Sequence, residues 1–320
     1  MKFRTEIQPL PLAGMLSHHD RILMLGSCFT DNIGARLRDR MFAVLVNPFG
    51  TLYNPASIHS AVSRIAAATP FSPSDIHQSA DSQWFSYDCH TKLNAPTPHT
   101  LLSNLNSHLL RAHHFLSQAS AVCITLGTAW VFTLNATGQV VANCQKQPAS
   151  LFSRTRLSVD DCAAHLSGII STLRQLNPDI KIILTVSPIR HLADGAHGNQ
   201  LSKSTLLLAC DSATRRHDNV IYFPSYEIMM DDLRSYRFYA ADMKHPSDVA
   251  VEYIYDIFAN SFFSNDTIEL SQQALNLTRR TAHRPISQPQ EEARKFRDDT
   301  IKLINSLVTR HPELKKALDL

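Results

Sequence analysis

Apolar residues cluster in short runs along this chain: ILML at 22–25, FAVLV at 42–46, AVCITL at 121–126 and, opened by a lysine, KIILTV at 181–186. A shorter run, VIYF, follows at 220–223. Runs of this length, rich in β-branched residues and closed by Gly, Pro or polar turns, predict strands buried on both faces. Between them apolar positions recur at helical spacing, which predicts helices over residues 57–68, 100–118, 157–176 and 204–217, and from about 247. A first helix is expected from Thr30 or Asp31, with Ile33, Leu37 and Met41 on one face. Strands that alternate with helices imply an α/β fold, a mainly parallel sheet sandwiched by helices. Residues 84–93 alternate and predict an inserted strand or hairpin. Residues 130–134 and 139–142 flank an Asn-Ala-Thr-Gly turn and predict a second hairpin. At the start, residues 2–7 read as an edge strand ended by Pro9 and Pro11.

The pattern changes near residue 264. The chain divides into an α/β domain over 1–263 and a helical C-terminal extension over 264–320, whose helices are split by a linker at 285–289. Phe296, Ile301, Ile304, Leu307 and Val308 form a stripe that must bury itself. It is expected to dock on the outer face of the main domain, away from Ser27.

In parallel sheets ligands bind beyond the carboxyl ends of the strands, at a topological switch point. The loops at that edge hold the unusual residues: Gly26-Ser27-Cys28 after the first strand, 50–54 after the second, Gly127-Thr128 after the third and 187–203 after the fourth. A small nucleophile on a strand-to-helix turn presents its reactive atom to a ligand, with helix N–H groups behind it for a developing oxyanion. Ser27 is the nucleophile expected here. Cys28 is an alternative, because a helix N-terminus lowers a thiol pKa. Neighbours on a turn point in different directions, so Cys28 reads as a small buried residue. Asp242-Met243-Lys244-His245, after the last strand, offers a base and the carboxylate that orients it.

Composition narrows the picture. The 320 residues carry 18% charged and 44% hydrophobic side chains and a net charge of +3, without long basic runs, which argues against a nucleic-acid partner. No apolar run spans a bilayer and no apolar leader opens the sequence, so a cytoplasmic protein is expected. The six cysteines are scattered without CxxC spacing, as reduced thiols would be. Sixteen histidines invite a metal reading centred on His191, Asp194 and His197.

The strings LGSCFTDNIG, NPFGTLYNP, TLGTAWVF, VVANC, TVSPIRHLADGAHGNQLSK and FPSYEIMMDDLRSYRFYAADMKHPSD, in this order over residues 3–258, resemble the GSCFA family of the SGNH hydrolase-like superfamily. Thr30 stands where that family's motif ends in Ala. The resemblance implies a flavodoxin-like sheet and a serine hydrolase acting on an acyl ester through an acyl-enzyme, with Ser27 as nucleophile, His245 as base and Asp242 as orienter. It implies no metal and no cofactor; the partner would be a small-molecule or carbohydrate ester. The N–H groups of Ser27 and Gly50 would serve the oxyanion. The superfamily's third-block Gly-x-Asn reads Gly127-Thr128-Ala129 here. Losing one such donor costs roughly 3 kcal/mol of transition-state stabilisation; Thr128, Asn54 and Asn199 are the candidate replacements. That departure supports a second expectation, a weak or inactive binding module for an acylated or carbohydrate-like ligand. Arg190, His191, His197 and Asn199 are candidate substrate contacts, and Lys203 either attracts an anion or pairs with Asp194. Trp84 and Trp130 either roof the pocket or pack in the core, and Tyr222, Tyr226, Tyr236 and Tyr239 line its interior or rim.

Overall fold

The structure is a computed structural model and describes residues 5–282 and 290–318. Five strands, β1 (Arg21–Gly26), β2 (Ala43–Val46), β3 (Ala121–Leu126), β4 (Lys181–Val186) and β5 (Val220–Tyr222), pair in parallel. Their spatial order is β5-β4-β3-β1-β2, which read from the other edge is the flavodoxin-like order 2-1-3-4-5. The switch point therefore lies between β1 and β3.

Side chains alternate along each strand, so each strand feeds two cores. Leu23, Leu25, Val122, Ile124, Ile182 and Leu184 face one core, covered by α2 (Pro55–Ala66), α3 (Pro98–Ser117), α4 (Val159–Leu176) and α5 (Gly195–Arg216). Ile22, Met24, Cys123 and Ile183 face the other, under α1 (Cys28–Asp39) and α6 (Asp248–Phe262). Burial on both sides explains why these strands are written as apolar runs rather than as alternating patterns.

The insertions depart from expectation in detail. Only Trp84–Phe85 of the first is strand, paired with His77–Gln78. In the second, Trp130–Leu134 pairs with Val140–Val141 and also with Phe152–Arg156, a third strand whose polar sequence concealed it. Of the expected edge strand, residues 1–4 lie outside the described residues. Residues 5–7 form no strand; the chain there is tied by Ile7 N–H to Asp232 Oδ2.

The tail helices α7 (Asn265–Ala282) and α8 (Gln290–Arg310) close over Met41 through Leu270, Ala274, Leu307 and Val308, joined by Leu314 of the turn that follows α8. Lys316 Nζ donates to His19 O at 2.6 Å. Met41 precedes β2 and His19 precedes β1, so the tail docks at the amino end of the sheet rather than on its outer face. Ser27 lies at the opposite end. Ile301 is 54% exposed and outside the stripe, whereas Thr300 is buried and bonded to Arg280. The linker at 285–289 lies outside the described residues. Among the described residues no helix is long and apolar enough to cross a membrane.

Candidate active site

The site is built on the turn that leaves β1. Gly26 adopts φ +141°, and a Cβ there would lie 2.2 Å from Thr125 O. Its N–H donates to Asn47 Oδ1 at 2.9 Å and its carbonyl accepts Leu52 N–H at 2.9 Å. Asn47 Nδ2 in turn donates to Asp31 Oδ1 at 2.8 Å. The loop after β2 is thereby strapped to the first turn of α1. Gly26→Ala combines backbone strain with a backbone clash and is expected to cost about 3 kcal/mol, seen as a lower urea midpoint at unchanged slope. A midpoint equal to wild type would show that the turn relaxes freely.

Ser27 is the N-cap of α1. Its Oγ accepts Phe29 N–H at 3.3 Å, its N–H donates to Thr125 O at 3.1 Å, and the residue is only 1% exposed. The helix therefore starts two residues before Thr30, and Cys28 becomes its first residue. Ser is a strong N-cap former, and that preference is the signal in the sequence that would have placed Cys28 on the helix. Cys28 is half-buried, and its Sγ lies 3.6 Å from His245 Nε2. No hydrogen bond joins Ser27 to His245 among the described residues.

The DxxH segment is a closed turn. Asp242 Oδ1 accepts the N–H groups of Lys244 (2.9 Å) and His245 (3.0 Å), and Met243 between them takes φ 57°. Oδ2 accepts His245 Nδ1–H at 2.5 Å. The backbone and ring N–H of His245, then Lys244 N–H, hold the Asp242 carboxyl well below the usual carboxylate range. An ionised Asp242 keeps the proton on Nδ1, which leaves Nε2 to accept the Cys28 S–H. Arg190 N–H donates to Lys244 O at 3.3 Å and joins this turn to the loop after β4.

Burial pushes the Cys28 thiol up from its ordinary value, and Asp31 adds to the rise. The N–H groups of Cys28 and Phe29 and the charge of Lys203 act the other way. A thiol pKa raised above its ordinary value keeps the sulfur protonated at neutral pH.

Most backbone donors along the sheet edge are already committed. Gly50 N–H donates to Asn47 O, Gly127 and Thr128 N–H both donate to Tyr53 O, and Ala129 N–H donates to Ser202 Oγ. Thr128 Oγ1 is tied to Ser202 Oγ and Trp130 N–H. Asn54 caps α2 through Oδ1, and its Nδ2 makes no hydrogen bond among the described residues.

Helix α5 begins at Gly195, nine residues before the expected start, and this changes the reading of the fourth loop. His197 is exposed on its first turn. Asn199 is buried and accepts His191 N–H at 2.9 Å. His191 packs edge-on to Tyr53, its Nε2 is buried without a partner, and burial lowers its pKa to about 4. It is a neutral imidazole with one unused nitrogen. Arg190 is committed to the rim, bonded to Tyr236 OH and stacked near the Tyr236 and Tyr239 rings.

Asp194 pairs with Arg154, at 2.5 and 2.7 Å, and not with Lys203 or Arg190. Arg154 also lies 4.1 Å over the Trp130 ring, so the second insertion is latched to the fourth loop. Trp84 packs on the main core, Tyr226 and Tyr239 are buried, and Tyr236 is exposed. Among the described residues no group of three His, Cys, Asp or Glu side chains is placed to hold a metal. Tyr53, whose carbonyl anchors the third loop, carried no signal beyond its place in a Pro-bracketed loop.

The GSCFA family model matches residues 21–258, from the first strand to the helix after the DxxH turn. The chain belongs to the GSCFA family. No curated protein sequence matches this GSCFA chain. Among solved structures it is similar to a carbohydrate esterase family 3 protein from Talaromyces cellulolyticus, at 10% identity and a TM-score of 0.39, over 79% of this chain and 98% of that one. It is also similar to the acetyl xylan esterase Est2A from the rumen bacterium Butyrivibrio proteoclasticus, at 11% identity and a TM-score of 0.39, over 80% of this chain and 66% of that one. Likenesses this distant say nothing of the chemistry of the GSCFA chain.

Proposed function

We propose that this chain hydrolyses or transfers a short acyl group, with Cys28 rather than Ser27 as nucleophile, His245 as base and Asp242 as its orienter. The observation that carries the reading is the continuous relay from Cys28 Sγ to His245 Nε2 (3.6 Å) and from His245 Nδ1 to Asp242 Oδ2 (2.5 Å). Ser27 Oγ is spent on capping the helix behind that thiol.

In the first half-reaction Sγ attacks the acyl carbonyl while Nε2 takes the thiol proton. The tetrahedral oxyanion collapses, the C–O bond to the alcohol breaks, and His245 returns the proton to the departing oxygen. The thioester left on Cys28 is then attacked by water, or by an acceptor hydroxyl, which His245 deprotonates; the C–S bond breaks, the acyl group leaves as acid or new ester, and His245 returns the proton to the sulfur. The Cys28 N–H and Asn54 Nδ2 are the donors left for the oxyanion, and His191 Nε2 is left to accept a hydrogen bond from the substrate.

The scarcity of free donors at the sheet edge favours a second reading, a module that binds an acylated or carbohydrate-like ligand without turnover. Steady-state hydrolysis of short aryl esters and thioesters separates the two. Under the first reading, turnover is lost on iodoacetamide treatment, in Cys144→Ser protein as in wild type. Turnover that survives full alkylation of Cys28 would contradict it, and no turnover at all would favour the binding module.

A further inference from the structure

Lys203 stands out among buried groups that the reaction as drawn does not use. It is 0% exposed, and its Nζ donates to Gly127 O and Ser187 O, each at 2.7 Å. These carbonyls belong to the first residues after β3 and β4, so one amine gathers the third and fourth loops of the site. Among the described residues it makes no ion pair with a carboxylate. A buried cation without a counter-charge is costly, and two carbonyl dipoles offset only part of that cost.

The charged and titratable groups facing this region are Cys28 and Asp31 on α1, Tyr53 after β2, His191 after β4, His245 on the DxxH turn and Tyr226, whose ring lies 5.9 Å from Nζ. Lys203 and Cys28 interact electrostatically in both directions: the lysine favours the thiolate, and charge on the sulfur favours the ammonium. Burial lowers the Lys203 pKa to about 7, and negative charge on the Cys28 sulfur acts against that fall.

Resting on the reading that Cys28 is the reacting nucleophile, we propose that Lys203 is the positioning cation of the site. It fixes the two loops around the sulfur and stabilises negative charge as it develops there. Lys203 is not the proton acceptor in the reaction; the proton that moves is the Cys28 proton, which passes to His245.

Two adducts of the folded protein test this. In a Cys144→Ser background, chosen because the other four cysteines are buried, Cys28 is alkylated with iodoacetate or with iodoacetamide. One reagent leaves a fixed anion at the sulfur, the other a neutral group of similar size. The Lys203 side-chain titration is then followed by NMR of ε-13C-lysine, with Lys203→Arg protein to assign the signal. The carboxymethyl adduct is expected to titrate at least about half a pH unit higher than the carbamidomethyl adduct. Equal midpoints would overturn the proposal. So would failure of both reagents to label Cys28, because an unreachable sulfur presents no substrate charge to stabilise.

In parallel, Lys203→Met should slow Cys28 alkylation at pH 8 by about tenfold, and Lys203→Arg should restore it to within about threefold. A folded Lys203→Met protein with wild-type alkylation would make the lysine a strut only. If that variant does not fold, the adduct pair decides. Neither readout needs turnover, so an inactive protein that shows the shift would overturn the acyl-transfer reading and leave the coupling standing.

Discussion

Cys28→Ala is expected to lower acyl turnover by about a thousandfold or more, whereas Ser27→Ala keeps activity within about tenfold of wild type. The difference follows from position on the turn. Cys28 is the first residue of α1, with its sulfur toward His245 Nε2. Ser27, one residue earlier, is buried with its hydroxyl on Phe29 N–H. Removing that hydroxyl uncaps the helix, which costs about 1 kcal/mol of stability. Ser27→Ala should therefore melt earlier and still turn over. Cys28→Ala should melt near wild type and not turn over. Initial rates with an aryl ester and thermal melts on the two variants check both halves, and the reverse pattern would return the nucleophile to Ser27.

The second large effect is expected at Asp242. Asp242→Asn keeps the shape of the turn but replaces an acceptor that fixes the Nδ1–H tautomer with a group that can donate to that nitrogen. His245 then tends to carry its proton on Nε2 and cannot accept one from Cys28. In buried triads such a change is worth about ten-thousandfold. Here the side chains of Asp242 and His245 are 47% and 46% exposed. Water competes for the ring nitrogen, and the expected loss in kcat/KM is smaller, about a hundredfold. The loss should fall on kcat, since the carboxylate holds the base rather than the substrate. A variant within threefold of wild type would mean that the backbone alone orients the imidazole.

The parallel sheet was legible in the sequence because its strands are buried on both faces. ILML, AVCITL and IILTV have no reading on a surface, and residues 121–126 and 181–186 form β3 and β4 over the expected bounds. The DxxH turn was legible too, since an Asp three residues before a His closes on it locally. What was not legible is where polar side chains, rather than apolar ones, hold a helix in place. The first turns of α5 face inward with Asn199, Ser202 and Lys203, which bond to the neighbouring loops. Without an apolar stripe, that stretch reads as loop until residue 204. The start of α1 was obscured in the same way: its first inward contact is a capping hydroxyl, and Cys28 has no apolar neighbour at helical spacing to mark its face. The strand at Phe152–Arg156 is mostly exposed and carries two arginines, so only its partner strand announces it.

The central claim is that the acyl group passes through the Cys28 sulfur. Its most direct test is to quench the protein with acid during turnover of p-nitrophenyl acetate and map the acetylated peptide by mass spectrometry. The account predicts an acetyl group on Cys28 that neutral hydroxylamine removes, as a thioester requires, and that is absent from Cys28→Ala. Acetyl found on Ser27 and stable to neutral hydroxylamine would contradict it.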